Sequence, residues 1–237
     1  MLIKILKKTR QPIQVQTINM LELLSIHIPK TGGTSFYDML CQSYGEEAVG
    51  ISYRRRDVLK ANEQFGSLSA SIPSSQKVLH GHLFYHEVKE MHQSSGAKVI
   101  CWLRDPIERV ISNYRFFIHR LQNPEINPAV YELNKHRVNE SLLKYASYRE
   151  NRNVMSQYLK GLPLESIDFI GFLDHFEEDV KRLEKLLDWE PVQLPHLNKG
   201  AIKRSTELSD KERKKLTRWN KRDIALYNKA KELSGRF

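Results

Sequence analysis

Apolar residues along this chain fall into two patterns. Residues 23–28, 78–84, 99–103 and 167–173 are short, nearly unbroken apolar runs, the second of them carrying histidines. Runs of that length and continuity predict strands buried on both faces, as in the middle of a parallel sheet. Elsewhere apolar positions recur every three to four residues. Phe36, Met39 and Leu40 mark a helix over 34–42. Ile107, Val110, Ile111, Tyr114, Ile118 and Leu121 mark a longer one, and Phe176, Val180, Leu183 and Leu187 mark a third. The second has a clear start: Asp105 is a good N-cap, and Pro106 fits the first helical position. Residues 140–159 and 207–233 also read as helical.

Strands alternating with helices predict an α/β fold: a P-loop-like parallel β-sheet flanked by helices, with ligands at the carboxyl ends of the strands. The sequence reads as a basic lead-in over 1–20 and a single domain over 21–237. That domain has a core over 22–190 and a basic helical C-terminal extension over 200–237. Residues 45–76 are polar and serine-rich and predict a loop with at most a short helix. Residues 122–137, with two prolines, predict a surface excursion, and 191–200 a turn-rich connection. There is no internal repeat.

Composition narrows the partners. The chain has 237 residues, 40% of them hydrophobic, which supports one sizeable core. A formal net charge of +10 calls for an anionic partner: a nucleotide, an acidic polymer, nucleic acid or a membrane surface. Ten Lys/Arg against three acids fall within residues 199–222, and Arg54, Arg55 and Arg56 form a second cluster. Either run also reads as a solvated helix face. Nucleic acid is disfavoured, because the basic runs lack interleaved aromatics and a docking motif. Cys41 and Cys101 have no metal or redox spacing and predict two buried free thiols. The sequence shows neither a signal h-region nor a run approaching the roughly 18 apolar residues of a membrane span, which predicts a cytoplasmic protein with no integral membrane segment. Oligomeric state is not legible.

Three stations of chemistry sit at predicted strand ends. The first is the loop Pro29-Lys30-Thr31-Gly32-Gly33-Thr34-Ser35, which runs from a strand into a helix. Glycines let backbone N–H groups turn toward a phosphate, and the helix adds the positive end of its dipole. In the common nucleotide-triphosphate loop the lysine follows the second glycine, and the next hydroxyl holds magnesium. Here Lys30 precedes the glycine pair. The second station is His80-Gly81-His82, where either histidine is suited to accept a proton near neutral pH. The third is Arg104, with Ser112 two turns along the following helix and Arg109 three residues before it. Arg104 and Ser112 suit a second phosphate. A nucleotide with phosphates at both ends of its ribose would occupy both anion sites.

Residues 29–35 resemble the 5′-phosphosulfate loop of sulfotransferases that use 3′-phosphoadenosine 5′-phosphosulfate (PAPS). Residues 103–114, Leu-Arg-Asp-Pro-Ile-Glu-Arg-Val-Ile-Ser-Asn-Tyr, resemble their 3′-phosphate element. The likeness is nearest to the carbohydrate branch that includes the heparan sulfate 2-O- and 6-O-sulfotransferases. His80-Gly81-His82-Leu83 is similar to the histidine motif of the 2-O enzymes. The likeness as a whole spans residues 22–190 and weakens over 45–76 and after 190.

The resemblance implies sulfuryl transfer from PAPS to a hydroxyl, releasing the bisphosphate PAP. It implies that Lys30, Thr31, Gly32, Gly33, Thr34 and Ser35 hold the 5′ end and that Arg104 and Ser112 hold the 3′-phosphate. Lys30 and His82, or His80, would carry the chemistry, and Lys199 and Gly200 would close over the nucleotide. It implies no metal. A glycan, in one form an anionic one, is the favoured acceptor; a lipid, a peptide tyrosine and a small metabolite stay open. So do two other readings: a P-loop-like nucleotide kinase, and a non-catalytic nucleotide- or polyanion-binding module.

Overall fold

The four apolar runs pair edge to edge. In the computed structural model, which describes residues 21–194 and 208–236, β1 (Leu23–Ile26), β2 (Val78–Gly81), β3 (Lys98–Leu103) and β4 (Phe169–Phe172) form one parallel sheet in the order β2-β1-β3-β4. β1 therefore lies between the strands that carry the other two stations. The lead-in over 1–20 and the pair Lys199 and Gly200 lie outside the described residues.

Side chains alternate across the sheet, and both faces are covered. Leu24, Ile26, Leu79, Val99, Cys101, Leu103, Ile170 and Phe172 face one apolar layer. Leu23, Val78, Ile100, Trp102 and Phe169 face the other. The second layer is closed by α1 (Gly33–Tyr44), α2 (Glu46–Val49) and α9 (Phe176–Leu187), through Phe36, Met39, Leu40, Val49, Phe176, Val180 and Leu183. The first is closed by α3 (Arg55–Phe65), α4 (Tyr85–Ser95), α8 (Val154–Tyr158) and α11 (Lys221–Leu233). This two-sided burial is why the strands read as continuous apolar runs rather than as alternating ones.

α5 (Pro106–Gln122) leaves β3 and packs with α7 (Leu142–Ser147) and α10 (Asp210–Trp219) around Ile107, Val110, Ile111, Ala146 and Leu216. Asp105 caps it as expected, accepting from the N–H groups of Ile107 at 2.9 Å and Glu108 at 3.0 Å. α6 (Pro128–Asn134) lies in the surface excursion.

Three sequence expectations need correction. Residues 45–76 are not a loop: they hold α2 and the eleven-residue α3, which buries only Val58 and Ala61 and so leaves a faint apolar signature. The helix expected over 140–159 is broken into α7 and α8 by a turn ending at Asn153, which has positive φ. Cys101 is buried as expected, but Cys41 is only half-buried.

The C-terminal helices are bonded into this arrangement. The buried carboxylate of Asp223 on α11 accepts from the N–H groups of Met155 at 3.0 Å and Ser156 at 2.8 Å, satisfying the open first turn of α8. Asn220 accepts from the N–H of Asn153 at 3.0 Å. No helix among the described residues is long and apolar enough to cross a membrane.

Candidate functional site

The loop between β1 and α1 has two left-handed residues, Lys30 (φ 72°) and Gly32 (φ 90°). Glycine adopts that conformation freely. For lysine it stores roughly 1–3 kcal/mol, which the surrounding structure must hold. Alternating backbone handedness of this kind turns successive N–H groups to one side. Gly32 caps α1 without a side-chain acceptor, so the first N–H groups of that helix carry no internal partner. The entrance of α5, by contrast, is filled by the Asp105 carboxylate. The two helix starts are thus unequal. The one at α1 offers backbone donors to an anion, whereas at α5 only side chains are left to do so.

Within the loop, the Thr31 hydroxyl is buried and donates to the Ile28 carbonyl at 2.8 Å, which fixes the turn. Thr34 is exposed and Ser35 half-buried on the first turn of α1. Lys30 extends toward α5, where its Nζ lies 4.3 Å from the centre of the Phe116 ring. Burial, together with Arg104 and Arg120 nearby, holds the Lys30 amine below its ordinary range.

Arg104 ends β3 and is 7% exposed; its Nε has no hydrogen-bond partner among the described residues. Burial depresses its pKa, opposed by the carboxylates of Glu108, Asp174 and Asp105. Ser112 is half-buried on α5. Arg109 does not join these groups at the surface. It is fully buried, and its Nη2 donates to the Asn151 carbonyl at 3.4 Å.

The histidines follow from sheet register. Ser25 on β1 stands opposite His80 on β2, and their Oγ and Nδ1 are 2.8 Å apart. Two residues further along each chain, on the same face, His27 stacks on His82 with ring centres 4.2 Å apart. The His27 N–H donates to the Gly81 carbonyl at 2.8 Å, keeping the ladder in step beyond the strand ends. His80 is 1% exposed, and burial, with His82 beside it, pushes its pKa down to about 3. His82 is half-buried; burial lowers its pKa, and the cations Arg54 and Arg55 lower it further, against the hydrogen bond to His27. That bond joins His82 Nδ1 to the His27 carbonyl at 2.8 Å. A carbonyl only accepts, so Nδ1 carries the proton and Nε2 is left as the basic nitrogen.

Arg54 and Arg55 reach this histidine through a backbone graft. Tyr53 bridges to Gly81 at the sheet edge; its N–H donates to the His80 carbonyl at 2.9 Å, and its own carbonyl accepts from His82 N–H at 2.7 Å. A Cβ on Gly81 would overlap the Tyr53 backbone, so only glycine permits the approach. Arg55 is paired with Glu87 through both nitrogens. Arg54 is exposed at the start of α3, its own N–H held by Asp57 at 2.8 Å.

The model of the sulfotransferase family matches residues 19–230 of this chain. The chain belongs to the sulfotransferase family. No curated protein matches it. Among solved structures, a sulfotransferase from Alicyclobacillus acidocaldarius is 18% identical, with a TM-score of 0.46 over 91% of this chain and 96% of its own. A mouse sulfotransferase complexed with PAP is 14% identical, with a TM-score of 0.41 over 83% of this chain and 62% of its own. In this sulfotransferase-family chain the three stations expected from sequence converge on adjacent strands. One site residue was not expected: His27 carried no signal, because its place beside His82 depends on which strands pair and in what register. The C-terminal cations are displayed as an exposed stripe of Lys211, Lys214, Lys215 and Arg218 along one face of α10.

Proposed function

We propose that this protein transfers the sulfuryl group of PAPS to a hydroxyl of a carbohydrate acceptor. The observation that carries the reading is the meeting of an open helix start bearing Lys30 with a histidine whose Nε2 is left basic, one strand away. The donor's 5′ end fits the N–H groups of Gly33, Thr34 and Ser35 with Lys30 beside them. Its 3′-phosphate fits Arg104 and Ser112. The acceptor oxygen attacks sulfur as His82 Nε2 takes its proton. A new S–O bond forms, the bond from sulfur to the 5′-phosphate oxygen breaks, and the products are a sulfate ester and PAP. Lys30 and the loop N–H groups stabilise the charge that grows on the departing phosphate.

His82 suits the role of base better than His80, which is buried and engaged by Ser25. Arg54, beside His82 and exposed, favours an acceptor that carries a negative group near its reacting hydroxyl. Arg55 has its charge countered by Glu87.

Incubation with PAPS labelled at sulfur against a panel of glycans, lipids, tyrosyl peptides and small hydroxylated acceptors tests the reading. Label should pass to a glycan, and Lys30→Ala should lower turnover by roughly 10²–10³-fold while the protein stays folded. Transfer untouched by both Lys30→Ala and His82→Ala would refute the assignment of roles. Failure of every acceptor to take label would refute the activity.

A further inference from the structure

We propose that His27 is a positioning residue for the transfer step: clamped between Gly33 and His82, it locks the base to the loop that holds the donor. The inference rests on the reading of His82 as the base.

Three contacts define the clamp. The His27 carbonyl takes the Nδ1 proton of His82 at 2.8 Å. The His27 ring lies against the His82 ring with centres 4.2 Å apart and planes inclined by 30°, and its other neighbour is His80 at 5.2 Å. Gly33, the first residue of α1, sits so close that a Cβ there would overlap the His27 imidazole. One residue thus touches both halves of the site. The Nδ1 of His27 has no hydrogen-bond partner among the described residues, so that nitrogen does not fix where the ring sits. Burial, with His80, His82 and Lys30 nearby, pushes its pKa down to about 2, so the ring is a neutral wedge and not a proton carrier near pH 7.

The ring also helps to keep His82 dry. The groups facing His82 are His27 and His80 from the β1 and β2 side, Arg54 and Arg55 from the start of α3, and Tyr158 from α8. Of these, only His27 both stacks on the ring and bonds to it. Removing its side chain leaves the carbonyl in place and admits water to one face of His82. The pKa of His82, now depressed chiefly by burial, then rises.

The test uses His27→Ala and His27→Phe in the full chain. In His27→Ala, kcat should fall by roughly tenfold or more, since small misplacements of a reacting group carry large rate costs. PAP affinity should stay within about threefold, since the phosphate grips remain. The acid limb of the pH–kcat profile should move to higher pH. His27→Phe, which restores a ring, should recover most of kcat and return the limb toward its original position. A His27→Ala protein with the wild-type kcat and limb overturns the proposal. So does equal loss in both variants with the limb unmoved, or a loss confined to PAP affinity. Titration of His82 by nuclear magnetic resonance reads the same shift without turnover. If wild-type protein transfers nothing from PAPS, the functional reading fails, while this titration still decides whether His27 governs His82. Should His27→Ala not fold, His27→Ser takes its place with the same expectations.

Discussion

Nζ of Lys30 rests 4.3 Å above the centre of the Phe116 ring, and the guanidinium of Arg120 lies 4.6 Å from the same centre. One aromatic ring is therefore shared by two cations that repel each other. The ring offsets part of that repulsion and holds the lysine, whose backbone is left-handed, at the edge of the phosphate cradle.

Phe116→Ala should remove that compensation. Phe116 is 42% exposed, so stability should change little. The amine then loses the surface that seats it at the cradle, so kcat should fall by roughly tenfold, read by steady-state kinetics. Phe116→Trp, which keeps an aromatic face for the amine, should retain most of the wild-type rate.

Gly33→Ala places a methyl group inside the His27 ring and forces either the loop or the ring to move. Overpacking of this kind costs about 1–3 kcal/mol. Turnover should drop, and adding His27→Ala should restore part of the PAP affinity lost by Gly33→Ala. Strict additivity of the two changes would show that the contact does not couple loop and base.

His80 gives a stability signature of known sign. Its pKa falls from 6.5 to about 3 on folding, so between these values the unfolded chain binds a proton that the folded one refuses. Stability is full above the unfolded value and is lost as pH falls through it. From pH 7.5 to 5.5 this one group should cost about 1.4 kcal/mol. Urea titrations at both pH values should show His80→Asn losing less stability than wild type by that margin.

Much of this was legible along the chain. Sheet and helix types followed from periodicity, because strands buried on both faces leave unbroken apolar runs. The Asp105 cap was also plain, since its signal is local. What escaped depends on distant partners. α3 exposes most of its surface and so looked like loop. The break between α7 and α8 is stabilised by Asn220 and Asp223, which lie 67 and 68 residues away from Asn153 and Met155. His27 is one histidine in an apolar context until β1 and β2 are laid in register.

Asp223→Asn tests that distant support. Asp223 is fully buried, bonds the first turn of α8 and supplies the largest opposing charge to the buried Arg109. The amide would leave that guanidinium without a countercharge and turn an N–H donor toward backbone donors. Unfolding free energy should fall by about 3 kcal/mol, measured by chemical denaturation. A change below about 1 kcal/mol would remove Asp223 from this role.

Calorimetric titration with PAP, with adenosine 5′-phosphate as comparator and no added magnesium, bears most directly on the two phosphate grips. PAP should bind roughly tenfold or more tightly than the monophosphate, because charge-assisted bonds from Arg104 to the 3′-phosphate add 1.4 kcal/mol or more. Arg104→Ala should erase the difference and leave the monophosphate affinity unchanged. Equal affinity of wild-type protein for the two ligands, or tighter binding of ATP in a parallel titration with magnesium added, would contradict the assignment.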